Sequence, residues 1–147
     1  MRKLKRVGRH EWRFDWPRPF QDACDAIDDA VEQFYAGKHS AAERGLRAVL
    51  ERFPEHLDAM WHLAGFLKRR GQRAEAAKMW KDAVELGRTA FPPRTFQFGR
   101  DLLEWAWLEN RPFLRCLDSL DGCAAGSRCA RGRPELRAGT ARAESRG

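Results

Sequence analysis

The apolar positions of this chain change period along its length. Between Trp12 and Phe20 large apolar residues alternate with polar ones: Trp12, Phe14 and Trp16 are separated by Arg13 and Asp15, and Pro17 and Pro19 interrupt the run. A proline biases the residue before it towards extended backbone, so this stretch reads as an extended arm laid across the first helix. From about Asp22 the spacing becomes helical. Cys24, Ile27, Val31 and Phe34 fall at three- and four-residue intervals and form one apolar stripe, which stops before Gly37. A second helix opens at His39 or Ser40, carries Ala42, Leu46, Val49, Leu50 and Phe53 on one face, and is followed by Pro54. A third runs from about Leu57 to Arg70 with Met60, Leu63, Ala64 and Leu67 inward, and Lys68, Arg69 and Arg70 complement its C-terminal dipole. A fourth runs from about Arg73 to Leu86 with Ala76, Trp80, Ala83 and Val84 inward, and Gly87 reads as its end.

The second and fourth helices keep step with each other. Gly37 and Gly71 lie 34 residues apart, and at the same offset Ala42 falls against Ala76, Leu46 against Trp80 and Val49 against Ala83. A helix, a glycine turn and a second helix, repeated at this period, resemble the tetratricopeptide repeat. The second unit carries the resemblance best, through Leu63, Ala64, Leu67, Gly71, Ala76, Trp80 and Ala83. The first carries Gly37, Ala42, Leu46, Val49 and Pro54, but has Asp29 and Ala30 where Leu and a small residue are usual. The second unit also ends in Arg88 where the family prefers Pro. The likeness covers about half the chain, residues 23–90. It implies an all-α fold in which antiparallel helix-turn-helix repeats stack as a short right-handed superhelical solenoid.

After Pro92 and Pro93 the pattern changes again. Leu102, Leu103, Trp105, Ala106 and Trp107 are too apolar to leave exposed. The run from Trp105 through Trp107, Asn110, Arg111, Pro112 and Phe113 is similar to a segment of bacterial repeat proteins and of the suppressor-of-tumorigenicity-seven family. Asn110 is placed to cap a helix, Pro112 to sit in its first turn, and Phe113, Leu114 and Leu117 to pack on the preceding unit. The chain thus divides into an arm (1–21), two helix pairs (22–90), capping helices (91–121) and an Arg/Ala/Gly tail (122–147) expected to be disordered. A shifted reading frame near Cys116 to Gly122 accounts for the tail's composition as well as native disorder does. It also accounts better for the missing partner of the last helix.

Charge sharpens this division. Of the formal net charge of +7, residues 1–19 hold +5 and residues 114–147 hold +3, while residues 20–113 come to −1. The body is balanced, without the basic stripe that tracks a phosphate backbone, which makes nucleic acid an unfavoured partner despite the basic, aromatic N-terminus. No apolar run approaches the roughly 20 residues of a membrane span, and the basic start lacks an apolar signal core, so a cytoplasmic protein is expected. Cys24, Cys116, Cys123 and Cys129 include no C-x-x-C pair, which argues against a structural metal site.

No catalytic pattern is present: there is no G-x-S-x-G, no Walker loop and no H-E-x-x-H, and His10, His39, His56 and His62 are scattered. Neither an enzyme nor a cofactor is expected. The leading expectation is an interaction module that binds a peptide or partner helix on the concave face lined by the first helix of each pair. That nominates Asp28 and Tyr35 in the first pair, with Asp58, Trp61, His62, Gly65, Lys68 and Arg69 in the second. Trp61 has a second reading, in which it packs on the N-terminal arm. A nucleic-acid-associated protein and a regulatory subunit of an enzyme are the alternatives. Two repeats are fewer than the roughly three that such stacks need, so either the flanking segments cap them or the chain self-associates.

Overall fold

The computed structural model describes residues 3–126. Two strands open the chain, β1 (Lys3–Arg6) and β2 (Glu11–Asp15), followed by a one-turn helix α1 (Arg18–Gln21). Two helix pairs come next: α2 (Cys24–Tyr35) with α3 (His39–Arg52), then α4 (Leu57–Arg69) with α5 (Arg73–Arg88). A connector holds the two-residue strand β3 (Leu102–Leu103) and a 3-10 turn (Leu108–Asn110), and the last helix is α6 (Arg111–Gly126).

The sheet corrects the all-α expectation. The three strands lie in the order β1-β2-β3, with β1 antiparallel and β3 parallel to β2, so the architecture is mixed α/β although helix-rich. Trp12, Phe14 and Trp16 do sit on extended backbone, but Trp12 and Phe14 belong to a strand and not to a free arm. Lys5 pairs with Arg13 and Leu4 with Phe14 across the hairpin, and Trp12 pairs with Leu103 of β3. Leu4, Trp12 and Phe14 are buried, while Lys3, Lys5 and Arg6 face solvent. The period-two rule therefore holds in β2, and β1, which looks like a plain basic tail, contributes one buried residue, Leu4.

Inside the pairs the helical reading stands with small adjustments. Gly37 and Gly71 both adopt φ 85°, the left-handed conformation that glycine takes without strain, and each closes the turn between two paired helices. Ala42, Leu46, Leu63, Ala64, Ala76 and Ala83 are completely buried, and Trp80 nearly so. Pro54 follows Phe53 directly after α3. Gly87 does not end the fourth helix. It lies inside α5, and the Phe113 ring covers it so closely that an added Cβ would stand 2.2 Å from Phe113 Cδ2. Glycine there lets α6 approach α5.

The connector is also placed differently from expectation. Leu102 and Leu103 are buried, but Trp105 and Ala106 are exposed and Trp107 is half-buried. Asn110 does not cap α6. Its side chain is fully buried and binds the hairpin: Oδ1 accepts from Phe14 N at 2.9 Å, while Nδ2 donates to the carbonyls of Trp12 at 3.1 Å and Glu104 at 2.9 Å. A second buried polar anchor sits at Asp101, which accepts hydrogen bonds from Gln97 N and from Arg100 and contacts His10 Nδ1 at 3.2 Å. Burial works to raise the Asp101 carboxyl, but these hydrogen bonds prevail and bring it down to about 2.

Residues 122–126 continue α6, so the loss of pattern after residue 121 does not end the helix there. The rest of the expected tail, disordered or frame-shifted, lies outside the described residues. Among the described residues, no helix is long and apolar enough to cross a membrane.

Candidate functional site

Helices α2, α4 and α6 lie side by side, and their sequences can be aligned by burial. Buried Met60, Leu63, Ala64 and Leu67 of α4 recur in α6 as Phe113, Cys116, Leu117 and Leu120, at a constant offset of 53 residues. The offset between α2 and α4 is 34 residues. Equivalent positions therefore form rows across the three helices. One row is Cys24, Asp58 and Arg111, and the next is Asp28, His62 and Arg115.

Each residue expected on this face can now be placed. Asp28 is exposed, and its charge acts on His62. Asp58 Oδ2 lies 3.9 Å from His62 Nε2, and Asp58 Oδ1 lies 3.7 Å from Arg115 Nη1. Burial pushes the His62 imidazole below its ordinary value; the Asp58 charge opposes this and the Arg115 charge adds to it. Tyr35 is exposed and carries the Arg69 guanidinium 5.4 Å above its ring. Lys68 turns aside, its ammonium 5.7 Å from the Trp80 ring centroid. Gly65 is half-buried, and a Cβ built on it would meet nothing within 4 Å, so the floor of the groove is open there.

Trp61 is half-buried on the side of α4 that faces α6. It does not pack on the N-terminal hairpin. Its Nε1 donates to Ser119 Oγ of α6 at 3.0 Å, and the Arg115 guanidinium lies 5.2 Å from its ring centroid. The same guanidinium lies 5.7 Å from the Trp105 ring, and Arg111 lies 5.4 Å from that ring. Indole and guanidinium groups thus stack in alternation along the start of α6. Arg111, Arg115 and Ser119 are the groove residues that the sequence reading missed. Their spacing of four was legible, but not their register against α4.

Beside the hairpin, α2, α4 and α6 border a cleft of about 470 Å³. Phe14, Trp16 and Phe20 form one wall, and Cys24, Asp58, Arg111 and Arg115 form the helical side. The aromatic wall is a continuous stack, with Phe14 and Trp16 parallel at 4.7 Å and Phe20 next at 6.2 Å. Trp16 Nε1 donates to Glu109 O at 2.7 Å, and Arg13 pairs with Glu109 at 2.7 Å while lying 5.4 Å from the Trp107 ring. His56, buried at the cleft's edge, caps α4: Nδ1 accepts from Ala59 N at 3.3 Å, which leaves the proton on Nε2 to be donated to Phe20 O at 3.1 Å. Asp58 Oδ1 is buried here and receives no hydrogen bond.

No family model, curated protein or solved structure matches this chain.

The titratable groups near the cleft are shifted by burial and by neighbouring charge. Burial, then the charges of Asp58, Asp28, Asp25 and Asp22, push the Cys24 thiol up, away from the thiolate that a nucleophile needs. Burial pushes the Cys116 thiol further up, and that thiol donates to Leu57 O at 3.8 Å. Both His56 nitrogens are engaged, Nδ1 in the cap of α4 and Nε2 with Phe20 O. Among the described residues, no group of three His, Cys, Asp or Glu side chains is placed to hold a metal ion.

Proposed function

We propose that this chain is a non-catalytic interaction module that binds a peptide or a partner helix along the groove of α2, α4 and α6. The observation that carries the reading is the open floor at Gly65, where the nearest heavy atoms stand beyond 4 Å of an added Cβ. The groove around it is lined by Tyr35, Arg69, Trp61 and Arg115, the residue types that supply most of the energy at protein interfaces. Trp61 and Arg115 are already ordered by stacking and hydrogen bonding, so less conformational entropy is lost on binding. Kinship with tetratricopeptide repeats belongs to the same proposal. It is supported by the matching left-handed turns at Gly37 and Gly71 and by the buried small residues Ala42, Ala64, Ala76 and Ala83. A cytoplasmic setting fits a module of this kind.

The test is a displayed random-peptide library selected on the full chain, with the enriched peptides then measured against Gly65→Trp. A Cβ at Gly65 meets nothing within 4 Å, and thermal unfolding checks that the tryptophan variant folds. Loss of at least about tenfold in affinity, some 1.4 kcal/mol, is expected. Equal binding by Gly65→Trp at unchanged stability would reject the groove.

A further inference from the structure

The cleft at the hairpin end of the groove is electrically polarised across its width. On the α2 side, Cys24 lines the cleft, and Asp22, Asp25 and Asp28, exposed and outside the lining, act on it through their charge; none of the three makes an ion pair among the described residues. On the α6 side stand Arg111 and Arg115. Arg111 spends one donor, Nε, on Trp105 O at 3.1 Å, and among the described residues it has no acidic partner. Its guanidinium lies 5.4 Å from the Trp105 ring centroid. Between the two sides lies Asp58, whose buried Oδ1 accepts no hydrogen bond and whose nearest cation, Arg115, is 3.7 Å away. A buried carboxylate oxygen left in this state is costly unless a donor reaches it. A wall of Phe14, Trp16 and Phe20 closes the end of the cleft.

We infer that the cleft selects an extended segment of a partner protein that carries one basic and one acidic residue in a fixed order, the basic side chain entering beside Cys24 and Asp58 and the acidic one meeting Arg111. This rests on the groove reading above and names the chemistry of its ligand. The span sets the spacing. Helix axes pack roughly 8–10 Å apart, and an extended chain rises about 3.3 Å per residue, so crossing from α2 to α6 takes about five or six residues. The order of charges fixes the direction in which the segment lies, and the aromatic wall offers a stacking surface to an apolar residue between them. The carboxylates of Asp58, Asp28, Asp25 and Asp22, whose charges reach Cys24, attract an arriving ammonium or guanidinium.

The probe is a set of labelled synthetic peptides of about ten residues. Each has a Ser, Ala and Tyr background with one Arg and one Glu about five positions apart, in both orders, and with either charge removed. Fluorescence anisotropy against the full chain reads the affinities. One order is expected to bind at least about tenfold tighter than the other and than either single-charge peptide. The double variant Asp25→Lys, Asp28→Lys lies on exposed positions, and thermal unfolding checks that it folds. It should lose the preference for Arg and regain affinity for a peptide with Glu in that place, whereas Arg111→Gln should lose the preference for Glu alone. Peptides that bind regardless of charge and order, yet are blocked by Gly65→Trp, would overturn the polarity while leaving the groove standing. Failure of every peptide to bind, together with failure of the library selection, would overturn both.

Discussion

Helices α2 and α4 share one register, yet they treat one face in opposite ways. In α4, Ala59, Leu63 and Phe66 are buried against the preceding pair, and Phe66 stacks on Phe34 at 4.1 Å. The equivalent residues of α2, 34 positions earlier, are Asp25, Asp29 and Glu32, and all three are exposed. No helix pair packs on that face of α2 among the described residues. The departure at Asp29 from the repeat pattern thus has a physical cause. A stacked unit needs an apolar face towards its neighbour, and a terminal unit needs a polar one to stay dispersed.

That comparison is open to breakage at several points. The largest effect is expected from Leu63→Asp, which gives α4 the residue that α2 tolerates. An unpaired carboxylate in a fully buried position should destabilise the fold by about 4 kcal/mol or more, read as a lost or greatly lowered midpoint in urea. A smaller loss is expected at the other end of the stack. Asn110→Leu strands the Phe14 N–H and the Trp12 carbonyl, so a cost of about 3 kcal/mol should appear in the same assay. Hydrogen exchange should locate that loss in β2.

The glycines sharpen the contrast further. Gly87→Ala forces a methyl into the Phe113 ring and should cost roughly 1–3 kcal/mol despite the better helix propensity of alanine. Gly65→Ala meets nothing and should raise stability by about 0.5–1 kcal/mol, so thermal unfolding should show shifts of opposite sign for one chemical change. The smallest stability change, within about 0.5 kcal/mol, is expected from Asp29→Leu, on an exposed surface. Its effect should appear in light scattering instead, as self-association through the newly apolar face of α2. A chain that stays as dispersed as the parent would mean that the acidic face does not serve to end the stack.

The helix pairs were legible because their information is local. A stripe at helical spacing, a glycine and a second stripe suffice, and α2 to α5 begin and end within a few residues of the expected positions. The sheet was not legible. The alternation of Trp12 and Phe14 announced an extended chain but could not name its partners. One partner is Lys3–Arg6, whose single apolar member is Leu4, and the other is Leu102–Leu103, about 90 residues away. Asn110 misled for a related reason. Asparagine before a helical run is a good cap by local rules, and only the long-range fold reveals that β2 claims its side chain. At the candidate site the α4 residues were found by periodicity. Arg111 and Arg115 escaped because the connector changes the offset from 34 to 53 residues, which hides the third first-helix from a fixed-period search.

The bond between Asn110 and the backbone of β2 has a consequence for the order of assembly. It joins positions 96 to 98 residues apart, as does the parallel pairing of Glu11 with Leu102 at only slightly shorter range. During synthesis, α2 to α5 can pair as they emerge, because their contacts are with near neighbours in the chain. The hairpin emerges before the helix pairs yet must wait until the segment around Asn110 has been made. Over that interval β2 offers an unpaired edge and bare Trp12 and Phe14 side chains to whatever is nearby. The hairpin is thus secured later than the helix pairs that follow it in the chain, and the nascent chain is most exposed to misassembly just before α6 appears.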